Sequence, residues 1–533
     1  MGKTKVMTPE IDNSCQTSIT ILMILLALLL RVLIAPFPYS GKGNHHGLTN
    51  AYGGDYEAQR HWMELTIHLP LSEWYTYSED YWRLDYPPLI AYWSYLMGIV
   101  SSKLVGEESV ALFDSRGYES EVHQSFMRGT VILSDILVYF PLTFVLCRRL
   151  AGNCHRGMIL WFGVLIQPSL VSIDNGHFQY NSVCLGLSLG AFHFMTLSDS
   201  VGYEDVVGSI LFCMALNWKQ MTLYYAPAVF SYLLGKCFRE NTTTQILRKI
   251  ALLGVTVLGT FFILWFPFYH FRTIPEQNAI EVYSSIIRRI FPFSRGLFEG
   301  KVSNIWCILA LKPISIRDRI SSESQPLYAL LLTTCMTIPF CVQLFRVASN
   351  KHNLLTDETK AKCLLLGAAG TSLSFFLASF QVHEKSILLP LAPLSLLTLD
   401  YVSFIPWVSM VSLWSMWHLL CLDQLQIVYL VLLWTYGCYL VYFDLITITV
   451  ASTNRQPCFL EIICRQVFRL MKPITIITMC TLHILEVLVD PPLSLPDIYP
   501  VLWIILGCCS FCFAWLFVLG ILRSCSSLPI KVD

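Results

Sequence analysis

Residues 18–35 read SITILMILLALLLRVLIA, an apolar run that follows Lys3 and Lys5. A membrane helix needs about 20 mostly apolar residues, because its rise must cover a ~30 Å hydrocarbon core and its backbone must bond to itself. The run meets that length. It is too long for a cleaved signal peptide and no small-x-small cleavage site follows it, so it is expected to stay as a signal anchor.

Further apolar runs centre near Leu137, Leu165, Leu187, Leu211, Phe230, Leu258, Leu331, Ser374, Leu391, Leu413, Val431, Ile477 and Phe511, which predicts about fourteen spans. The composition agrees. Of 533 residues 55% are hydrophobic and 14% charged, against about 25% charged in ordinary globular chains. The mean hydropathy is +0.56. The bulk of the chain is therefore expected to face lipid, as an all-α polytopic membrane protein. With 36 basic and 36 acidic residues and no basic strip interleaved with aromatics, nothing points to nucleic acid. The cysteines are mostly scattered singly through apolar runs, with neither a disulfide framework nor a paired C-x-x-C site.

Basic clusters fall in alternate connections: Arg148, Arg149 and Arg156; Lys236, Arg239, Arg248 and Lys249; Lys351, Lys360 and Lys362; Arg455, Arg465, Arg469 and Lys472. The positive-inside rule then puts both termini in the cytosol. The sequon at Asn241 falls on that side and is expected to stay unmodified. The organisation expected is a cytosolic tail 1–17, a catalytic transmembrane module 18–400 and further membrane helices over 401–533. Two connections, about 36–128 and 269–326, are too long to be turns and lie on the opposite side, where they are expected to fold. In the first, Ala58, Trp62, Leu65 and Leu69 share a helical face opposite Glu57, Gln59, Arg60 and Glu64, the pattern of an interfacial amphipathic helix. A second short helix is expected over Pro87–Val100, lying on or dipping into the membrane.

Polar groups gather at the non-cytosolic span ends: Gly54-Asp55-Tyr56-Glu57, Leu84-Asp85-Tyr86-Pro87-Pro88, Ser115-Arg116-Gly117-Tyr118-Glu119, Asp174 to Asn181, Asn217-Trp218-Lys219-Gln220, Arg288 to Gly296, and Gln381-Val382-His383-Glu384-Lys385. Each alone has a plain structural reading. Asp55 and Asp85 can cap helices, His177 can close a hairpin, His383-Glu384-Lys385 can be a solvated connection, and Arg288, Arg289 and Arg295 can anchor lipid headgroups. Together they imply one cavity at one membrane face. Its ingredients are carboxylates to take a proton, cations to hold an anion, and aromatics (Trp62, Trp74, Tyr86, Trp93, Trp306) to stack on sugar rings, a set suited to a sugar carried on a lipid phosphate. There is no Gly-rich phosphate loop, H-E-x-x-H or G-x-S-x-G, and no D-x-D in the exposed loops, which argues against common nucleotide-sugar and hydrolase chemistry. A polytopic lipid or ion transporter is the rival class, and it would spread charge toward the bilayer midplane.

The stretches 54–62 (GDYEAQRHW), 84–89 (LDYPPL), 115–120 (SRGYES), 176–182 (GHFQYNS), 295–299 (RGLFE) with 304–306 (NIW), and 379–386 (SFQVHEKS) resemble the endoplasmic-reticulum dolichyl-phosphate-glucose glucosyltransferases. The likeness runs from the first span through the tenth. It implies a GT-C-type fold, a lumenal active site, dolichyl-phosphate-glucose as donor and the dolichyl-pyrophosphate Man9GlcNAc2 N-glycan precursor as acceptor, with no cofactor and no metal. The motifs resemble the enzyme that adds the first α-1,3-glucose more than its sister that adds the second. The resemblance makes Asp55 the general base of a single inverting displacement. His383 and Lys385, then Arg295 and Arg116, are expected at the donor phosphate. Glu57, Arg60, His61, Trp62, Asp85, Tyr86, His177, Gln179, Trp306 and Glu384 are expected to bind substrate or support the base.

Overall fold

The computed structural model describes residues 13–43, 53–77, 81–272, 277–291, 297, 301–351, 355–447 and 457–526. Among these the regular elements are all helical. Eight helices are long and apolar enough to cross a membrane: Thr17–Ile34, Glu121–Ala151, Cys154–Phe178, Thr243–His270, Gln325–Ser349, Asp357–Ala378, Phe459–Leu488 and Ile498–Cys525. Asn181–Met195, Phe404–Ser415 and Gln426–Tyr442 are apolar but shorter. The chain is a multi-pass membrane protein, though these helices do not establish the count of about fourteen. Some apolar runs form shorter pieces than hydropathy alone suggests. The run near Leu391 forms only Leu388–Ser395, with Pro393 inside it. Those near Leu211 and Phe230 form helices of 16 and 13 residues.

The helix Thr243–His270 presents Val255, Leu258 and Ile263 at 70% exposure or more, the lipid-facing surface that the hydrophobic effect would otherwise bury. Behind such surfaces one hydrophobic core includes residues from Ala27 to Cys525, on both sides of residue 400. The charge within the first run, Arg31 of α1 (Asn13–Ile34), is buried against Asp135 at 2.6 Å. A charge this deep persists because it is paired. The connections with basic clusters meet one another. Arg149 donates to the Asp357 carbonyl at 2.7 Å, Lys360 and Arg239 both bond Asp199, and Lys351 donates to the Asn241 side chain.

The first long connection folds into α2 (Asp55–His68) and α3 (Pro88–Leu104). Asp55 and Glu57 sit in the first turn of α2, where the helix dipole favours anions, and Pro70 follows its end. Pro88 begins α3, where a missing N–H costs nothing. The two helices pack tightly at Gly98, where a Cβ would lie 2.7 Å from Ile67 Cδ1 and 3.0 Å from the Met63 carbonyl oxygen. The expected helix in this connection therefore exists, but its charged face is covered by protein. Eleven of its residues, Tyr56 to Thr66, are buried, and the turn-rich loop 109–117 covers its charged face with its own hydrogen-bonding groups.

Candidate active site

Asp55 opens α2 as its first residue, and it is not a capping residue. The N-cap is Gly54, which makes no side-chain cap. Gly54 is required by close approach, since a Cβ there would fall 2.4 Å from the Ser40 carbonyl. The Ser40 hydroxyl accepts the Asp55 N–H at 3.3 Å, and the Ser40 N–H bonds the His177 carbonyl at 3.0 Å. The loop after α1 thus ties the start of α2 to the end of the helix Cys154–Phe178.

Two side chains converge on Asp55 Oδ2. His177 Nε2 lies 2.7 Å away, and the Lys385 ammonium forms a short ion pair with the same oxygen. Lys385 Nζ is also 3.0 Å from His177 Nε2. The other imidazole nitrogen, Nδ1, bonds Asp423 Oδ2. Oδ1 of Asp55 has no partner among the described residues. Burial by itself would raise the Asp55 carboxyl, but the Lys385 charge and the His177 hydrogen bond hold it well below the usual carboxylate range. The backbone is strained next to His177 and in the segment that leads to His383 and Lys385. Phe178 (φ 87°) and Gln381 (φ 57°) sit in the left-handed region without being glycine, a cost of order 1–3 kcal/mol each that marks over-determined sites.

Asp55 faces a cavity of about 500 Å³ formed where helix ends meet. Its walls include Trp62, Asp85, Tyr86, Gln179, Lys219, His383 and Lys385. Trp62 donates its indole N–H to the Arg83 carbonyl at 3.2 Å and tilts against Tyr86, ring centroids 4.9 Å apart. The Asp85 carbonyl accepts from Gln220 at 3.3 Å, and α3 is capped by Pro87 instead of Asp85. Asp174 accepts from Asn181 Nδ2 and the Ser182 N–H, both at 2.7 Å, which presents the amide oxygens of Gln179 and Asn181 to Lys219 Nζ at 3.0 and 2.6 Å. Lys219 also sits 5.0 Å above the Tyr86 ring. Burial pushes its ammonium down to about 8.

Several expected site residues lie elsewhere. Arg60 forks onto Glu57 at 2.6 Å and Glu64 at 2.8 Å and donates to Ser115. His61 bonds Glu64 at 3.0 Å. Glu57 is consumed by Arg60, the Tyr81 hydroxyl and the Gly117 N–H. These residues hold α2 to its covering loop and do not line the cavity. Arg116 stacks on Tyr81 at 4.7 Å and Phe113 at 5.1 Å and is also absent from the lining, because the loop that carries it turns toward the covered face of α2. Trp306 donates to the Ala378 carbonyl at 2.7 Å and packs behind the cavity-lining Phe380. Glu384 is absent from the lining too, although it adjoins Lys385 in the 3-10 turn Glu384–Ile387. Arg295 lies outside the described residues. Asp423 and Lys219 were not among the expected site residues. Lys219 stands in one of the polar groups but nothing in its spacing selects it, and Asp423 follows an apolar helix as a lone acid.

Among the described residues no group of three or more His, Cys, Asp or Glu side chains is placed to hold a metal. The arrangement offers a carboxylate with one open oxygen, cationic side chains across the same space, and aromatic rings between them. That is the equipment for removing a hydroxyl proton while an anion leaves.

Comparison with known proteins extends this. The sequence profile of the ALG6, ALG8 glycosyltransferase family matches residues 23–518. Dolichyl pyrophosphate Man9GlcNAc2 alpha-1,3-glucosyltransferase of Mus musculus is 37% identical over 507 residues, covering 92% of this chain and 94% of that protein. The Gallus gallus protein of the same name is 40% identical over 378 residues, 70% of this chain and 68% of its own. A probable dolichyl pyrophosphate Man9GlcNAc2 alpha-1,3-glucosyltransferase of Arabidopsis thaliana is 37% identical over 417 residues, 76% and 72% respectively.

Proposed function

Since this chain belongs to the ALG6, ALG8 glycosyltransferase family, we propose that it transfers glucose from dolichyl-phosphate-glucose to the terminal mannose of dolichyl-pyrophosphate Man9GlcNAc2, making the first α-1,3-glucosyl bond of the N-glycan precursor. The reading rests on the relatives' names and on one observation: Asp55 shares a cavity of about 500 Å³ with His383, Lys385 and Lys219.

The acceptor's 3-hydroxyl oxygen attacks glucose C1 as its proton passes to Asp55. The bond from C1 to the phosphate oxygen breaks, and dolichyl phosphate leaves from the opposite face, so the β-linked donor yields an α-linked product without a covalent intermediate. Charge grows on the departing phosphate, and a cation about 4 Å away contributes on the order of 4 kcal/mol at an effective dielectric of ~20. His383, Lys385 and Lys219 are the groups for this. Trp62 and Tyr86 stack on sugar faces, and Asp85 and Gln179 bond hydroxyls. Lys385 has a second duty. It pairs with Asp55, and a bound phosphate competes for its ammonium, which restores basicity to the carboxylate once donor is in place. The chain is assigned to the endoplasmic-reticulum membrane, with the cavity lumenal and both termini cytosolic.

The test is purified full-length protein in detergent with synthetic dolichyl-phosphate-glucose and Man9GlcNAc2 acceptor. Transfer to this acceptor, and none when it already carries one glucose, supports the assignment. Transfer only to the glucosylated acceptor would move the chain to the second-glucose reaction, and no transfer to either would sink the reading.

A further inference from the structure

Behind Asp55 the site continues. His177 is buried between two cavities and lines neither. On one side its Nε2 meets Asp55 in the large cavity. On the other its Nδ1 meets Asp423, which lines a second, mostly polar cavity of about 170 Å³ with Tyr39, Lys42 and Gln424. Asp423 reaches His177 from 246 residues away in sequence, from the end of a helix that contributes nothing to the first cavity. Two carboxylates on the two nitrogens of one imidazole, each in a different cavity, form a continuous hydrogen-bonded path between them.

The reaction proposed above, on which this inference rests, delivers one proton to Asp55 per turnover, and that proton must leave before the next. Lys385 is already engaged in the ion pair at Asp55, and the large cavity is then filled with product. We propose that His177 and Asp423 carry the proton from Asp55 to the second cavity. An imidazole can take a proton on one nitrogen and release one from the other without moving. In the working tautomer Nδ1–H points to Asp423. The Asp55 O–H bond breaks as His177 Nε2–H forms, Nδ1–H breaks as the Asp423 O–H forms, and Asp423 passes its proton to water. After product leaves, Nε2–H returns a proton through Asp55 to water in the large cavity as Nδ1 regains one through Asp423 from the second cavity, which restores the starting tautomer. The charged groups around His177 suit this. They are Asp55 from α2, Lys385 from the turn after Asp357–Ala378, Asp423, and Arg128, whose guanidinium donates to the Gly176 carbonyl at 2.7 Å. Lys42 sits 5.8 Å over the Tyr39 ring at the second cavity. Asp423 touches no substrate; it is a positioning residue that acts through His177.

Two variants of the full-length protein test this in the transfer assay. Asp423→Asn keeps an amide oxygen to accept from Nδ1–H but cannot take the proton. It is expected to lower kcat by about 10²-fold, leave both KM values within about twofold, and raise the solvent deuterium isotope effect on kcat. Asp423→Ala opens space beside His177, and formate added to this variant is expected to restore turnover, better than weaker bases of similar size. Wild-type kcat in Asp423→Asn, or a loss confined to KM with no response of Asp423→Ala to formate, overturns the relay while leaving the transferase reading intact. Absence of transfer by the wild-type chain overturns both.

Discussion

Helix α2 carries two ion networks one turn apart, and they behave as opposites. In the first, Glu57, Arg60, His61 and Glu64 bond within the helix at spacings of three and four residues, and the loop 109–117 closes over them with the Ser109 carbonyl, the Phe113 and Gly117 N–H groups and the Ser115 hydroxyl. Their charges are buried and spent on one another. In the second, Asp55 gathers partners from 122 and 330 residues away, places both on one oxygen, and leaves the other without a partner among the described residues, beside a cavity. The same residue types make a clamp where the network closes and a reactive group where it stays open. Openness, more than burial or charge, separates the two.

Removing the open carboxylate gives the largest effect. Asp55→Asn is expected to cut glucose transfer by about 10²- to 10⁴-fold, the range for loss of a general base, while melting in detergent changes little, since an amide can still hydrogen-bond His177 in either tautomer. Normal turnover in this variant would break the comparison at its centre. Arg60→Ala should do the reverse. It strands Glu57 and Glu64 as buried unpaired carboxylates, at a cost of about 3–5 kcal/mol, and the loss should show as thermal instability and poor recovery of folded protein. If Arg60→Ala instead folds normally and loses turnover, the clamp belongs to the site.

The clamp also predicts a response to acid. Burial would raise the Glu64 carboxyl, but the His61 hydrogen bond, the Arg60 charge and the Phe113 N–H bring it down to about 2 from an ordinary 4.5. A carboxyl depressed in the folded state stabilises above its unfolded value and loses that contribution as pH falls through the folded one. Hydrogen exchange of the α2 amides should therefore quicken as pH drops from 4.5 toward 2, beyond its intrinsic pH dependence, and Glu64→Gln should flatten that change.

Much of this division was within reach of the sequence. The spacings 57–60, 60–64 and 61–64 are salt-bridge spacings on any helix, yet they read as a solvated face, because nothing local reveals that residues 109–117 fold back over it. Asp55, His177, His383 and Lys385 were each conspicuous as polar residues at the ends of apolar runs, where an unexplained charge is costly. Asp423 was not, since one acid after an apolar helix has no local partner to give it meaning. Its role depends on a contact that only the packed bundle creates. Lys219 falls between these cases: its neighbours were noticed, but the two amides that orient it come from another helix end.

The smallest expected effect is the most discriminating, because it asks whether the open network changes state when substrate binds. In the free protein Lys385 and His177 hold Asp55 well below the usual carboxylate range. The acid limb of kcat/KM, which reports the free enzyme, should then lie at low pH. Once the donor phosphate draws Lys385 away, Asp55 loses its neighbouring ammonium and its proton affinity rises, so the acid limb of kcat should lie at higher pH than that of kcat/KM. Lys385→Met removes the same cation in both states. Its kcat/KM limb should move up toward its kcat limb until the two coincide, with a loss in rate of about tenfold, near 1.4 kcal/mol. If the two limbs already coincide in the wild type, Lys385 stays on Asp55 throughout the cycle, and the open network is as fixed as the closed one.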